Sequence, residues 1–345
     1  MQAAHLEELS STTVANATTA QTVASISELL AKTGVPTPDA IGHRIVHGGP
    51  ALRQHCLLDS FVIQQLEAAV AFAPLHMPAA LSFIRFALEQ FPGLPQVACF
   101  DTTFHANLPD VACVLPIPQE LRSAGIQRYG FHGLSCESIV HALGSDLPDR
   151  IVIAHLGNGA SVTAVKNGKS IDTSMGLTPT GGAIMGTRSG DLDPGVVLYL
   201  MREMKFDAAK LAQLVDHQSG LLGISGISSD MRQLHEAASH NADARLAIQM
   251  FCYSVGKQIA AMIAALDGID LLVFTGGIGE NDAQVRAGIC GHLTWIGIRL
   301  DAYRNQSADN FVNVASSRCV VRVIASQEDD QIARHTIALA TKVAS

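Results

Sequence analysis

Apolar positions Val23, Ile26, Leu29 and Leu30 recur at helical spacing and are followed by Gly34, Pro36 and Pro38. The spacing predicts a helix over 22–32, ended by those breakers. AIGHRIVHGG at 40–49 is short, β-branched and closed by a glycine pair, so it predicts a strand. FVIQQLEAAVAFA (61–73) returns to helical spacing, and PQVACFDTTFH (95–105) predicts a second buried strand. The first sheet is therefore expected to hold two strands, at 41–47 and 97–101.

The pattern changes from residue 151. IVIAHLGNGASVTAVKNGKSIDTS predicts strand, glycine turn, strand, hairpin and strand, because Asn167-Gly168 fills the two positive-φ positions of a type I′ turn. Helical patterns follow in FDAAKLAQLVDHQSG and DARLAIQMFCYSVGKQIAAMIAALDG. LLVFTGGIGEN (271–281) then predicts a buried strand that ends in glycines and opens a helix. A meander followed by alternating helices and strands is the layout of an actin-like, sugar-kinase- and Hsp70-like α/β domain. Such domains come in pairs with a nucleotide cleft between them. The expected domains are 1–102 with 329–345, and 103–328, the second binding nucleotide.

Composition narrows the partners. With 345 residues, 48% hydrophobic content and a mean hydropathy of +0.25, the chain can fill two cores and is not disordered. The net charge of −8 includes no basic block, so nucleic acid and anionic membrane have no electrostatic support as partners. The N-terminus, MQAAHLEELSSTTVANATTA, shows neither a basic n-region nor an apolar h-region, and Asp267 and Asp270 interrupt QIAAMIAALDGIDLLVF. A soluble cytoplasmic protein is expected. Cysteines at 56, 99, 113, 136, 252, 290 and 319 form no CxxC pair, which fits reduced thiols rather than a disulfide frame or zinc site.

Candidate chemistry enters with DTSMGLTPTGGAIMGTRSGDLDPG (172–195), which holds one arginine, three aspartates and six glycines. A fixed cation beside closely approachable backbone suits a phosphate, although an arginine that ties loop carbonyls together would need the same residues. Glycine turns at Gly157–Gly159 and Gly276–Gly279 follow predicted strands and could turn backbone N–H groups toward phosphate oxygens. Neither is a Walker A loop or a GxGxxG fingerprint, and each alone also reads as a plain tight turn. His43, His47, His76, His105, His132 and His155 raise the question of a metal cluster, but Ile45, Val46 and the glycine pair put His43 and His47 on a strand. Asp101 equally suits a cap or turn, and Glu328 a solvated acid.

Eight segments occur in one order: GHRIVHGG, FAPLHMPA, FDTTFH, YGFHG, HLGNGASV, DTSMGLTP, MGTRSGDLDPG and FTGGIGEN. In that order they resemble the acetate/butyrate kinase family of the actin-like superfamily, from about residue 40 to the C-terminus. The resemblance implies in-line transfer of the ATP γ-phosphoryl group to a small carboxylate, giving an acyl phosphate and ADP. Acetate is the expected acceptor, with propionate or butyrate as the alternative. Arg44 and Arg188 would bracket the carboxylate and the phosphoryl, and His132 would donate a hydrogen bond to the transition state. Asp101 matches the catalytic aspartate, which would orient an arginine or move a proton. ATP would be held by His155, Leu156, Gly157, Asn158 and Gly159, by Asp230, Met231 and Arg232, and by Gly277, Ile278, Gly279, Glu280 and Asn281. Val46, Leu75, Phe131 and Pro179 match the acyl pocket, and Glu328 would help place Mg²⁺, or Mn²⁺ in its stead. A homodimer is the assembly the resemblance implies.

The chain also departs from the family pattern. Pro50 stands where a glutamate follows the glycine pair, Thr180 and Gly181 replace Leu-Glu, and Cys136 replaces a second histidine. No segment matches the family's opening strand, Asn-x-Gly-Ser-Ser-Ser-Leu-Lys, whose side chains approach Mg²⁺ and the ATP phosphates. The first domain is thus expected to be incomplete and to leave a strand edge exposed. A shortened, non-catalytic nucleotide-binding protein is the second reading this allows.

Overall fold

Parallel strands need both faces covered, and the two β-branched runs at either side of residue 70 meet that demand together. The computed structural model describes residues 38–74 and 76–344. Strand β1 (Ile41–Ile45) pairs in parallel with β3 (Gln96–Phe100), Arg44 facing Cys99 and Ile45 facing Phe100. The helices Ser60–Ala68 and Met77–Gln90 cover one side, packing Val62, Leu66, Leu81 and Ile84 against Ile45, Ala98 and Phe100. Asp59 caps the first of them by accepting from the Val62 N–H at 2.7 Å. The helix Glu328–Ala344 contacts β1 and β3, and Gly42 lets it come close. A Cβ on Gly42 would run into the Thr336 hydroxyl and the Ile332 side chain.

A third strand, β2 (Cys56–Leu57), lies antiparallel beside β3 and gives the order β1-β3-β2, against the expectation of two. Two residues are too few to show an alternation, so pairing alone reveals it. The helix expected over 22–32 lies outside the described residues, as does the segment compared with the family's opening strand.

By contact, the chain forms one unit from Met1–Thr103 and Gln327–Ser345, and another from Phe104–Ser326. The sheet of the second unit runs β6 (169–173), β5 (160–166), β4 (150–156), β7 (271–275) and β8 (320–323) in that order. Strands β4 (Arg150–Leu156), β5 (Ala160–Lys166) and β6 (Lys169–Thr173) make the antiparallel meander, and its hairpin puts Asn167 at φ 50° and Gly168 at φ 75°, as a type I′ turn requires. Strand β7 (Leu271–Thr275) joins β4 in parallel, and β8 (Val320–Val323) joins β7.

The helix Ala242–Leu266 is long and apolar enough to cross a membrane by length and composition. Its buried residues Ala244, Ala247, Phe251, Val255, Ile259, Met262 and Leu266 instead form one stripe at intervals of three and four, and it contacts β4 and β5. It is the core helix of this unit, and Asp267 ends it in the left-handed conformation. All seven cysteines are free, and burial pushes the thiols of Cys252 and Cys319 up to about 12.

Behind β6, His105 is 1% exposed, its Nδ1 paired with the Ser170 hydroxyl at 2.8 Å and its Nε2 with the Phe131 carbonyl at 3.0 Å. A carbonyl only accepts, so Nε2 carries the proton and Ser170 donates to Nδ1. Burial pulls this imidazole down to about 4 from its ordinary 6.5. As pH falls from 6.5 toward 4 the unfolded chain takes up a proton that the native state refuses, so stability present above 6.5 is lost across that window. The loss from this group is about 3 kcal/mol in full. We expect His105→Gln to be less stable than the parent at pH 7 but to lose less between pH 6.5 and 4. Urea midpoints of the two proteins across that range measure it, and parallel curves would contradict it.

Candidate active site

Because β4 and β7 run in parallel, the glycine turns that follow them emerge at the same end of one sheet. A Cβ on Gly157 would stand 3.9 Å from the Gly277 amide, so the turns are neighbours. Together they border a cavity of about 830 Å³, within the range of small-molecule sites. Gly157 and Asn158 line it with Gly277, Ile278 and Asn281 from the second turn, and with Asp230, Met231 and Arg232 at the start of the helix Met231–Ala237. Asp230 caps that helix through the Arg232 N–H at 2.9 Å and grips the Arg232 guanidinium at 2.7 Å. Its carboxyl is held below the usual range by those bonds.

Ser229, His235, Asp282 and Gln284 also line the cavity, and sequence reasoning missed them. His235 Nε2 meets Asp282 Oδ2 at 2.8 Å, tying one wall to the other. The spacing that creates this pair spans 47 residues, so no local motif carries it.

Five of the proposed nucleotide contacts do not line the cavity. Leu156 is fully buried, and Gly279 packs against the Phe274 and Ala154 backbone. The Glu280 carboxylate turns back to accept from the Gly276 and Ser326 amides at 2.8 and 3.0 Å. His155 Nδ1 binds the Ser135 hydroxyl at 2.8 Å, and its ring stacks on that of His132 with centroids 4.2 Å apart. Gly159 lies beside the cavity and faces His132 and Arg188 instead. A Cβ there would be 3.1 Å from His132 Nε2 and 3.4 Å from Arg188 Nη1. An imidazole and a guanidinium thus converge on a notch at Gly159 too tight for a side chain, and two such donors side by side suit an anion.

The glycine-rich segment itself is built largely for shape. Asp191 accepts from the Gly182 N–H at 2.7 Å and receives Gln258 at 3.2 Å, while Asp193 caps the helix Pro194–Arg202. Gly190, at φ 69°, would drive a Cβ into the Ala183 backbone. Arg188 donates from Nη1 to the Pro179 carbonyl at 3.2 Å, and burial lowers its pKa against the pull of Asp216. Phe131 is 1% exposed, so its ring is core, and Pro179 is buried as well.

In the first unit, Arg44 stands at the end of β1 and Asp101 just past the end of β3. Arg44 Nε and Nη2 reach Asp101 Oδ2 at 3.2 and 2.9 Å, and Nη1 reaches Glu328 at 2.8 Å. Burial pushes the Asp101 carboxyl up while Arg44 pulls it down. The two carboxylates raise the Arg44 guanidinium, against its own burial. Val46 packs against the core beside Ile45, and Leu75 lies outside the described residues. Glu328 opens its helix ahead of Asp329 and Asp330, a favourable place for acids, and its hard oxygen donors fit Mg²⁺ or Mn²⁺. Of the six histidines considered for a metal, His43 binds Gln96, His47 Nδ1 accepts from the Gly49 amide, and His105, His132 and His155 each meet a serine.

A sequence profile described as "Acetokinase family" matches residues 3–334. The acetate kinase of Nitrobacter hamburgensis is 46% identical over 307 residues, covering 88% of this chain and 76% of that protein. The acetate kinase of Brachyspira hyodysenteriae is 46% identical over 307 residues, covering 87% and 78%. Among solved structures, a propionate kinase from Francisella tularensis has a TM-score of 0.88 at 39% identity, covering 93% of this chain and 84% of its own. The acetate kinase of Porphyromonas gingivalis has a TM-score of 0.85 at 37% identity, covering 94% and 85%. These likenesses give the fold as the actin-like α/β fold.

Gly277 offers a clean probe of the cavity, since a Cβ there would meet nothing within 4 Å. Gly277→Ala should fold as well as the parent, with a gain of up to about 1 kcal/mol from its helical position. It should nevertheless weaken ADP binding by roughly tenfold or more, because the methyl enters the space a phosphate or ribose needs. Calorimetric titration beside a thermal melt measures both, and unchanged ADP affinity would remove the ligand from this cavity.

Proposed function

The chain belongs to the acetokinase family, and from that membership we propose that it reversibly transfers the γ-phosphoryl group of ATP to acetate, giving acetyl phosphate and ADP. The family is one of phosphotransferases with a carboxyl acceptor. The observation that carries the proposal is the convergence of His132 Nε2 and Arg188 Nη1 at Gly159, next to Gly157 and Asn158 of the cavity. Charge on a phosphoryl group in flight spreads over its equatorial oxygens, and fixed donors aimed there lower the barrier without covalent chemistry.

In this reading ADP occupies the cavity, with its phosphates over Gly157, Asn158 and Gly277. Arg188 and His132 hold the transferring phosphoryl. Arg44 binds the carboxylate, and Asp101, with both oxygens within 3.3 Å of Arg44 Nε, orients that guanidinium rather than moving a proton. Mg²⁺ held through Glu328 would neutralise charge on the phosphate oxygens. Val46 borders the acyl group, and the reaction takes place in the cytoplasm.

The Francisella neighbour supports propionate as a second acceptor. One methylene more or less in an apolar pocket is worth about 1–3 kcal/mol, so kcat/KM for acetate should exceed that for propionate by roughly tenfold or more. Equal values would reject acetate as the preferred acid.

A second copy of the chain is the proposed partner. Leu192, Leu198, Tyr199, Met201 and Met204 are all more than 40% exposed, and the helices Pro194–Arg202 and Ala208–His217 contain no buried residue. An apolar patch of this kind marks an interface, and twofold dimers are the commonest closed assembly. Light scattering should give a dimer, and Tyr199→Glu with Met201→Glu should give a monomer. A parent protein that is monomeric at tens of micromolar would contradict this.

Arg188 decides between stabiliser and loop tie. Arg188→Ala should lower kcat by about 10² or more in acyl hydroxamate assays while ADP affinity changes little. The loop should hold, because its backbone ties, such as the Asp191 N–H to the Gly182 carbonyl and the Ser189 N–H to the Val215 carbonyl, both at 2.9 Å, do not depend on the guanidinium. A variant that unfolds, with full specific activity in its folded fraction, would favour the structural role.

A further inference from the structure

We propose that Ser161 is a positioning residue that fixes the His132 imidazole in the tautomer with its proton on Nε2, aimed at the Gly159 notch. The inference deepens the proposed function and rests, for its catalytic consequence, on the reading of His132 as a phosphoryl ligand.

Three features hold this ring. His132 has φ 56° and ψ 29°, the left-handed region, at the head of the helix Gly133–Leu143. A histidine held there costs roughly 1–2 kcal/mol, so surrounding contacts must enforce it. Strands β4 and β5 set His155 directly opposite Ser161. Directly paired residues point to the same face of a sheet, and His132 meets both members of this pair. Its ring stacks on His155 at 4.2 Å with the planes 22° apart, and its Nδ1 meets Ser161 Oγ at 2.9 Å.

The direction of that last bond follows from counting protons. Ser161 is 0% exposed, and among the described residues His132 Nδ1 is the partner recorded for its hydroxyl. If Nδ1 carried the proton, it would donate to Ser161 and leave the buried hydroxyl hydrogen with no acceptor. If Ser161 donates, its buried proton is used and one oxygen lone pair is idle. Idle acceptors are tolerated more readily than orphaned donors. Nδ1 therefore accepts, and the ring proton sits on Nε2, the atom 3.1 Å from the position a Gly159 Cβ would take.

The neighbouring histidine follows the same arithmetic. Ser326 Oγ donates to Ser135 Oγ at 3.0 Å, which leaves the Ser135 proton for His155 Nδ1 at 2.8 Å. Both stacked rings are thus supplied with a serine proton on Nδ1. An imidazole that must donate to a phosphoryl oxygen needs this tautomer before substrate arrives, since reorienting it during the reaction would add to the barrier.

Nitrogen-15 histidine labelling of the full chain tests the inference, with two-bond proton–nitrogen spectra reading the tautomer and His132→Gln assigning the signal. The parent should show Nε2–H at His132. Ser161→Ala should shift part of the population to Nδ1–H and lower kcat by roughly tenfold, a fraction of what losing a donor outright costs. KM for ADP should stay within about twofold, because Ser161 is not a cavity residue. Ser161→Thr, which keeps the hydroxyl, should restore the tautomer, and it remains informative where the alanine variant folds poorly. An Nδ1–H parent, or a Ser161→Ala spectrum unchanged at His132, overturns the proposal. A shifted tautomer with unchanged kcat upholds the positioning by Ser161 and overturns the catalytic reading of His132.

Discussion

The parallel pairing of β4 with β7 is the constraint on which the candidate site depends. Parallel neighbours finish at the same end, so two turns 120 residues apart in sequence arrive side by side, as the register from Ile151–Leu271 to His155–Thr275 requires. Everything at the site is then hung from that edge. The Gly157 turn and the Gly277 turn border the cavity, β5 returns from the first turn carrying Ser161, and the helix Gly133–Leu143 brings His132 over the pair. Shifting β7 by one residue would reverse its faces and separate the turns, so the core residues of this sheet are as necessary to the site as the polar groups that line it.

Much of this was legible in the sequence, for a physical reason. The meander, its Asn-Gly hairpin and the glycine turn after β7 are local events, written in neighbouring residues whose φ values and alternation admit few alternatives. The short strands β2 and β8 were not legible, because two and four residues carry almost no period. The His235–Asp282 bridge and the Ser161–His132 bond were hidden for another reason. Each joins residues 47 and 29 positions apart, and no spacing rule reaches across such a distance. The core helix Ala242–Leu266 was legible as well, because the helical pattern over 243–268 covers nearly all of it and its stripe repeats over about seven turns.

Arginines show where residue type ceases to inform. Four of them sit at or near candidate positions, and their partners differ. Arg286, 1% exposed, is spent on the carbonyls of Gly279, Glu280 and Asn305 and on the Asn305 side chain. Arg128 gathers the carbonyls of Ala112, Thr173, Ser174 and Met175. Both are structural ties of the kind considered for Arg188, and sequence reasoning singled out neither. Arg188 donates to the Pro179 carbonyl from within the glycine-rich loop, and Arg44 is bound by carboxylates while its side chain stays 43% exposed. A cation committed to buried carbonyls has no capacity left for a ligand, whereas one left partly in water retains it.

The Arg44–Asp101 pair carries this distinction furthest, because it binds structure and chemistry in one contact. Asp101 is 2% exposed and would be an uncompensated buried acid without its partner. Removing one member of such a pair commonly costs about 3–5 kcal/mol, and the partial exposure of Arg44 moves the cost here toward the lower end. The Asp101 backbone adds a further tie, its N–H donating to the Ile45 carbonyl at 2.9 Å, so the carboxylate is anchored at the ends of both parallel strands before it meets Arg44. A guanidinium gripped from behind by two carboxylates keeps a fixed plane. That rigidity is what a small carboxylate substrate needs, since it offers only two oxygens by which to be oriented. On the proposed function, the grip that stabilises the end of the first sheet also fixes the plane of Arg44 for an acid, so substitutions at Asp101 should disturb folding and binding together.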